Sequence, residues 1–385
     1  MRRSFFNTRK GLLYLFFLLV LCICSLLLVV TTKTTGKTLF YDTQIEASRL
    51  MKDCEDFLYS YVIDNDIAIE AEDLNRTGLI GPAYTPLMTT MGDIVAKRTS
   101  LDPNFAAVLV RYFVDAGLKQ GDRVAIGSSG SFPALAIAAI CACNALDLKA
   151  EVIVSIGAST YGATRVELSL PKMLTLLKDG GLIYFELLAV SPGSEGDHGV
   201  GTMEGLLFNN TRETVMEIAL QSGAYVIDEP SLAESIKKRM ELYGNDVKLF
   251  VNIGGAGANI GSSMEYLNVK PGLSLKLDVI PKSETRGVLY EFAEQGIPVV
   301  NMLNIKQIAS EEGLPVDSVP LPDVGEGGVY FTTTYNITAI VIALALIFAY
   351  AICVALIARS SHKENDELAA QDNADKCDRV GGGIG

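Results

Sequence analysis

The chain has few residues of the kinds that bind metals or form covalent cross-links. It contains two histidines and seven cysteines among 385 residues, and no two cysteines have the C-x-x-C spacing of a zinc site. Cys141 and Cys143 are two positions apart on an apolar helical stretch and point to different faces, so they are poorly placed to pair with each other. We therefore expect neither a metal site nor a disulfide framework.

Basic residues are outnumbered by acidic residues in the middle of the chain. Residues 33–335 contain 24 Lys and Arg but 39 Asp and Glu, which gives a net charge of −15. Nucleic-acid binding requires a concentrated basic surface, so we expect no nucleic-acid partner. The same charge should repel an anionic polymer except where Lys or Arg side chains cluster locally.

A long apolar run is present near each end of the chain. No charge interrupts residues 11–32 or residues 336–358. A helix needs about 20 apolar residues to cross the hydrocarbon core of a bilayer, so both runs predict transmembrane helices. The alternative for the first run is a cleaved signal peptide, but its apolar core exceeds the usual ~7–15 residues and no small-x-small cleavage site follows.

The charges beside these runs predict how the chain is oriented. Basic residues next to a span are retained on the cytoplasmic side, and those that flank the two runs are Arg2, Arg3, Arg9, Lys10, Arg359 and Lys363. We therefore expect a two-pass protein with the lipid bilayer as a partner. The predicted segments are a cytoplasmic tail (1–10), an extracytoplasmic domain (33–335) and a disordered, acidic cytoplasmic tail (359–385).

The region between the two spans shows the pattern of an α/β fold. Thr43-Gln-Ile-Glu46 predicts a capping box at the start of a stalk helix. Residues 76–104 show no period, so they contain either a hidden element or a functional loop. Amphipathic helices then alternate with apolar strands at 123–127, 151–157, 182–188, 225–228, 247–253 and 297–303. This alternation predicts a mainly parallel sheet with helices on both faces, flanked by the two transmembrane helices.

Glycine and hydroxyl residues follow several of the predicted strands. Ligands of parallel sheets bind beyond the carboxyl ends of the strands, so the loops at 127–131, 157–164 and 254–261 should converge on a pocket for a carboxylate or phosphate. The alternative is that these turns use Gly and Ser only for conformation and capping. The candidate ligand-binding residues are Ser128, Ser129, Ser131, Ser159, Thr160, Asn259, Arg98 and Arg165.

None of these loops completes a known motif. The 127–131 loop has Ser131 where a nucleophile elbow needs Gly, and the 254–261 loop has Ile260 at the third position of a dinucleotide fingerprint, so we expect no cofactor. A catalytic set of Ser129 or Ser131 with His198 and either Asp197 or Asp228 stays open. The candidates for a local cluster that could attract an anionic polymer are Lys97, Arg98, Arg165 and Lys172, although each is more typical of a solvated surface cation.

Three stretches between the apolar runs resemble the bacterial poly-gamma-glutamate system protein family. They are GLIGPAYTPLMTTMGDIVAKRTSLDPNFAAVLV (78–110), GDRVAIGSSGSFPALAIAAICACNALDLKAEVIVSIGASTYGAT (121–164) and VNIGGAGANIG (251–261), and the resemblance covers most of positions 40–355. It implies a bacterial membrane protein that helps to make, export or anchor poly-gamma-glutamate, with the polymer or its synthase and exporter proteins as partners. It supplies no catalytic residue set.

Three functions are compatible with these observations. The first is a non-catalytic component that handles the polymer or organises the synthase and exporter. The second is a membrane-tethered hydrolase or amide-transfer enzyme that acts on poly-gamma-glutamate or the cell wall. The third is a small-ligand sensor, which only the pocket-like loops support.

Overall fold

The structure is a computed structural model that describes residues 9–194, 196–200, 207–262 and 264–381. The chain divides into two compact units, one formed by Met1–Lys37 with Phe331–Gly385 and the other by Thr38–Tyr330. Residues 1–8 of the predicted N-terminal tail and residues 382–385 of the predicted C-terminal tail lie outside the described residues.

The described helices and strands follow one another along both units. The α-helices are α1 (Arg9–Thr31), α2 (Tyr41–Asp64), α3 (Ile94–Thr99), α4 (Phe105–Asp115), α5 (Pro133–Ala145), α6 (Leu170–Asp179), α7 (Thr211–Gln221), α8 (Leu232–Tyr243), α9 (Gly257–Ile260), α10 (Val288–Glu294), α11 (Ile305–Glu312) and α12 (Ile337–Gly381). The strands are β1 (Thr34–Lys37), β2 (Met88–Thr90), β3 (Arg123–Ser129), β4 (Lys149–Ser155), β5 (Ala158–Ser159), β6 (Glu186–Ser191), β7 (Tyr225–Val226), β8 (Val247–Ile253), β9 (Gly272–Ser274), β10 (Val299–Met302) and β11 (Phe331–Thr334).

The first unit consists of two long apolar helices and a two-stranded ribbon. Helix α1 and the Ile337–Ser361 part of α12 are each long and apolar enough to cross a membrane. The two helices contact each other, and the Tyr350 hydroxyl donates to the Tyr14 carbonyl at 2.9 Å. Strands β1 and β11 pair antiparallel. The structure therefore contains the two candidate spans that the sequence predicts.

Helix α12 extends beyond its apolar part. The sequence predicts disorder after Arg359, whereas the structure continues the helix to Gly381. No Gly or Pro interrupts residues 337–380, so the usual helix breakers are missing there. Lys363 and Glu367 add an exposed ion pair at 3.9 Å with helical i, i+4 spacing.

A seven-stranded sheet organises the second unit. Its strand order is β7-β6-β4-β3-β8-β10-β9, and the strands are parallel except for β9, which is antiparallel to β10 at the edge. Successive strands lead outward from β3 to β7 on one side, and then β8 and β10 are added on the other side. The winding therefore reverses between β3 and β8, and such a switch point opens a crevice at the carboxyl ends of the strands.

Apolar layers cover both faces of the sheet, as the sequence predicts. One core contains buried residues of α2, α4, α5 and α6, and the other contains buried residues of α8 and α10. The predicted stalk helix is α2, and Met51, Cys54 and Leu58 bury its inner face in the first core. The predicted capping box is wrong, because α2 begins at Tyr41 and Phe40 occupies the cap without a side-chain hydrogen bond. The Gln44 amide in its first turn instead donates to two distant carbonyls, those of Ala107 and Val329.

Two short elements lie in the segment that shows no period. Strand β2 and helix α3 both fall within residues 76–104, and β2 pairs in parallel with β5 in a small separate sheet. Elements of three and six residues are too short to produce a recognisable hydrophobic period. Both elements line the cavity described below.

Candidate functional site

A cavity of about 510 Å³ lies at the switch point of the sheet. Its lining includes Ser129 and Ser131 after β3, Gly157 and Ser159 after β4, and the 255–257 turn after β8. The three predicted loops therefore converge, as expected from the shared edge of parallel strands. The volume falls within the range of roughly 300–1,000 Å³ that is usual for small-ligand sites.

A buried lysine lies in the wall of this cavity. Lys97 belongs to α3, and only 2% of its surface is exposed, so the expectation of a solvated surface cation is wrong. Its Nζ donates to Ser159 Oγ at 2.7 Å and also to the Ser131 carbonyl oxygen. The ammonium group stands 4.2 Å from the centroid of the Phe132 ring, which holds it in place by a cation–π contact.

In the described part of the chain, no carboxylate forms an ion pair with Lys97. Asp93 acts on it electrostatically, but the Asp93 carboxylate accepts from Lys306 Nζ at 2.5 Å and from the Val95 amide at 2.9 Å. Burial disfavours the ammonium form more than Asp93 favours it, and it lowers the pKa of Lys97 from 10.5 to about 7. Near neutral pH the side chain is therefore present in both its charged and its neutral form.

Hydrogen bonds link the three serines that line the cavity. The Ser159 amide donates to Ser131 Oγ at 3.0 Å, and the Ser131 amide donates to Ser129 Oγ at 3.4 Å. The Ser129 hydroxyl donates to the Ile253 carbonyl at the end of β8, at 3.5 Å. These contacts join the turns after β3 and β4 to the end of β8 and fix where the hydroxyls lie.

Two glycines let the backbone pass close to these groups. Gly254 has a φ of +81°, and a Cβ there would lie 2.3 Å from Ser129 Oγ. A Cβ on Gly92 would lie 3.1 Å from both Lys97 Cε and Ser159 Oγ, and 2.7 Å from the Thr160 carbonyl oxygen. A larger residue at either position would therefore press on the polar side chains of the site.

Three predicted site residues support the wall without lining the cavity. The Ser128 hydroxyl donates to the carbonyl of Ser129 at 3.1 Å. Thr160 Oγ1 accepts from the Gly92 amide at 2.7 Å and so holds the turn between β2 and α3. The Asn259 side chain lies against Gly127, where an added Cβ would be 2.7 Å from its Oδ1.

The two predicted arginines also lie outside the cavity lining. Arg98 forms a two-pronged ion pair with Asp317, with both N–O distances at 2.6 Å. Arg165 is buried, so the expectation of a solvated surface cation is wrong for it as well, and it donates to the carbonyls of Ala68 and Gly78 at 2.8 and 3.0 Å. Both guanidinium groups join distant segments, so the positive charge at the cavity wall comes from Lys97.

A serine–histidine–aspartate arrangement is not present among the described residues. Asp197 is buried and accepts from Arg239 and from Ser191, both at 2.7 Å. Asp228 is paired with Arg212 at 2.8 Å. The described contacts of these two carboxylates do not include the ring of His198, and His198 is not part of the cavity lining.

Neither a metal cluster nor a known relative identifies the site. Within the described ranges, no three His, Cys, Asp or Glu side chains are grouped so that they could hold an ion. No protein-family model, curated protein or solved structure matches the chain. The groups that can contact a ligand in the cavity include its serine hydroxyls and Lys97.

Proposed function

We propose that this chain is a two-pass membrane component of a bacterial poly-gamma-glutamate system whose extracytoplasmic domain binds the polymer in the switch-point cavity. The observation that carries the proposal is the buried Lys97, which lies in the cavity wall, donates to the Ser159 hydroxyl and has no carboxylate bound to it in the described structure. A γ-linked glutamate chain has one free carboxylate per residue. That carboxylate would accept from Lys97 and from the hydroxyls of Ser131 and Ser159.

The charge balance restricts this contact to the cavity. The net charge of −15 for residues 33–335 repels an anionic chain over most of the surface, so attraction must come from a local cation. A bound carboxylate would favour the ammonium form of Lys97 and raise its pKa above about 7. Binding should therefore take up a proton and strengthen as the pH falls from 8 to 6.

Purified full-length protein in detergent micelles tests the binding step by calorimetry. γ-Linked glutamate oligomers should bind, and Lys97→Met should weaken binding about tenfold to a hundredfold, because a hydrogen bond to a charged group contributes roughly 1.5–3 kcal/mol. Lys172→Met, which changes an exposed lysine on α6, is the matched control and should bind like the wild type. Equal affinity of the wild type and Lys97→Met would contradict the proposed site.

Two features support the proposed topology. The ribbon of β1 and β11 pairs the chain after α1 with the chain before α12, so the C-terminal end of α1 and the N-terminal end of α12 belong on one side of the membrane. Basic residues at the other ends of both helices favour cytoplasmic termini. Reporter fusions at Val200 and after Lys363 test this orientation, and an active cytoplasmic reporter at Val200 would contradict it.

The cellular role is tested by deleting the gene while the polymer synthase is left intact. The amount, length or surface attachment of poly-gamma-glutamate should change, and the wild-type gene should restore it. Complementation with Lys97→Met and with Lys172→Met separates a requirement for the cavity from a requirement for the protein as a scaffold. Unchanged polymer in the deletion strain would refute the proposal.

A second function, a membrane-tethered hydrolase or amide-transfer enzyme, is favoured by one specific contact. This contact is the 2.7 Å hydrogen bond between Lys97 Nζ and Ser159 Oγ.

A further inference from the structure

Lys97 and Ser159 have the spacing of a base and a nucleophile. Their Nζ and Oγ atoms are 2.7 Å apart, within the range from which a base takes the proton of a hydroxyl. A neutral lysine has a lone pair that can accept this proton, and serine–lysine pairs carry out acyl transfer on several unrelated folds.

The surroundings of Lys97 favour a chemical role over a structural one. Burying an ammonium group without a bound carboxylate is costly, and the described polar partners of Nζ are one hydroxyl and one carbonyl. A neutral donor would join the same two loops at a smaller cost. The Phe132 ring and the Ser131 carbonyl fix the position of Nζ, and the surrounding protein lowers its pKa into the range where a base works near neutral pH.

Ser159 is the best placed of the three cavity serines. The Ser131 hydroxyl accepts from the Ser159 amide, and Lys97 contacts the carbonyl of Ser131 and not its hydroxyl. The Ser129 hydroxyl points to the Ile253 carbonyl. Ser159 lines the cavity and its hydroxyl contacts Lys97. The backbone of Gly92 passes close to the same hydroxyl.

We propose that Ser159 is the nucleophile and Lys97 the general base of a site that hydrolyses γ-glutamyl amide bonds through an acyl-enzyme. The inference rests on the proposed function for its substrate class. It assigns to the same cavity a reaction that needs a second pose, in which the γ-amide carbonyl carbon lies at Ser159 Oγ, the free carboxylate lies away from Lys97 and Lys97 is neutral.

Each step balances with the groups present and water. Neutral Lys97 takes the Ser159 proton as Oγ attacks the amide carbonyl carbon, and the carbon–nitrogen bond then breaks as the lysine ammonium gives that proton to the leaving amine. Water next attacks the ester, and Lys97 takes its proton. The bond from carbon to Oγ breaks, and the proton returns to Ser159. The net reaction consumes one water and releases a carboxylic acid and an amine.

The charged groups around Lys97 predict a simple pH profile. The charged residues that line the described cavity are Lys97 and Asp93, and Lys306 of α11 is bonded to Asp93. The bond to Lys306 lowers the pKa of Asp93 below its usual value, so Asp93 stays ionised above pH 5. The rate should therefore rise about tenfold per pH unit below the pKa of Lys97 and level off above about pH 7.

Labelling with a fluorophosphonate, which reacts with activated serines, tests the pair in the full-length protein in detergent micelles. Peptide mapping should find one adduct, on Ser159, with the pH profile given above. Ser159→Ala should abolish the adduct, and Lys97→Met should slow labelling by about a hundredfold or more. The controls Ser310→Ala and Lys172→Met change exposed residues of α11 and α6 and should label like the wild type.

If Lys97→Met does not fold, the pH profile of labelling of the wild type still tests the inference. A flat profile between pH 5.5 and 9, or an adduct on another serine, would overturn the inference. A γ-glutamyl anilide supplies the turnover measurement, and γ-linked oligomers supply the binding measurement. Oligomer binding without labelling or turnover refutes the enzyme and keeps the proposed function, whereas labelling and turnover without oligomer binding support the enzyme and refute polymer handling.

Discussion

Replacing Lys97 by methionine should change how the stability of the α/β unit depends on pH. Methionine has a similar length and no charge, so the variant removes the cost of burying the ammonium group. In the folded protein the pKa of Lys97 is about 7, against 10.5 for an exposed lysine. Between these values Lys97 binds more protons in the unfolded chain than in the folded chain, so the stability of the wild type relative to Lys97→Met must rise with pH.

The size of this effect follows from the two pKa values. The full difference corresponds to about 5 kcal/mol, which destabilises the folded wild type below pH 7 and disappears above pH 10.5. Between pH 7 and pH 9 the wild type should gain about 2 kcal/mol relative to Lys97→Met. The variant also leaves the Ser131 carbonyl without its lysine donor, at a cost of about 1–3 kcal/mol that does not vary with pH.

The quantity to measure is therefore the change with pH in the stability difference between the wild type and Lys97→Met. The difference at a single pH does not isolate the effect of the pKa. Urea unfolding of the full-length protein in detergent micelles, followed by circular dichroism from pH 6 to pH 9, gives the unfolding free energy at each pH. The difference between the wild type and Lys97→Met should change with pH, while the difference between the wild type and Lys172→Met should stay constant. Parallel curves for the wild type and Lys97→Met would refute the assignment of a lowered pKa to Lys97.

Three further variants test the packing around the site and the core by the same unfolding assay. Gly254→Ala should destabilise by about 1–3 kcal/mol more than Gly117→Ala, because both glycines have a φ of +81° but only Gly254 would place a Cβ against another side chain; equal losses would contradict the close approach. Asp197→Ala should cost about 3–5 kcal/mol by leaving the buried Arg239 unpaired, and adding Arg239→Met should recover part of this loss, whereas additive losses would contradict the pairing. Glu55 is fully buried and its pKa is raised well above 4.5 by desolvation, so the stability of the wild type relative to Glu55→Gln should fall as the pH rises above 4.5, and parallel curves for the two proteins would rule out this cause.

The sequence was sufficient to predict the convergence of the loops but not the chemistry of their side chains. Ser129, Ser131 and Ser159 follow β3 and β4, and the rule that parallel strands share a carboxyl edge brings them together. That rule does not determine the direction in which each side chain points. Ser128 and Asn259 are therefore sequence neighbours of residues that line the cavity, but they do not line it themselves.

The sequence makes Lys97 one of four candidate cations but does not predict its burial in the cavity wall, because its environment is built by distant parts of the chain. It lies on a six-residue helix in a segment without a hydrophobic period, and its hydroxyl partner is 62 positions away. A basic residue in such a segment is normally solvated, so only its burial distinguishes it. The sequence signal that could have drawn attention to it is the unexplained length of the 76–104 segment.

The ribbon of β1 and β11 has a consequence for how this protein can be rearranged. Lys37 lies opposite Phe331, and the next pair along the chain is joined by the Thr38 amide, which donates to the Tyr330 carbonyl at 3.1 Å. The chain therefore enters and leaves the α/β unit at neighbouring points. In the sequence, the unit is an insertion between two helices. A unit with adjacent ends can be moved between hosts or circularly permuted without stretching its backbone. We therefore expect Thr38–Tyr330 to be transplantable as a unit, and a short turn between Lys37 and Phe331 would close the remaining helical hairpin.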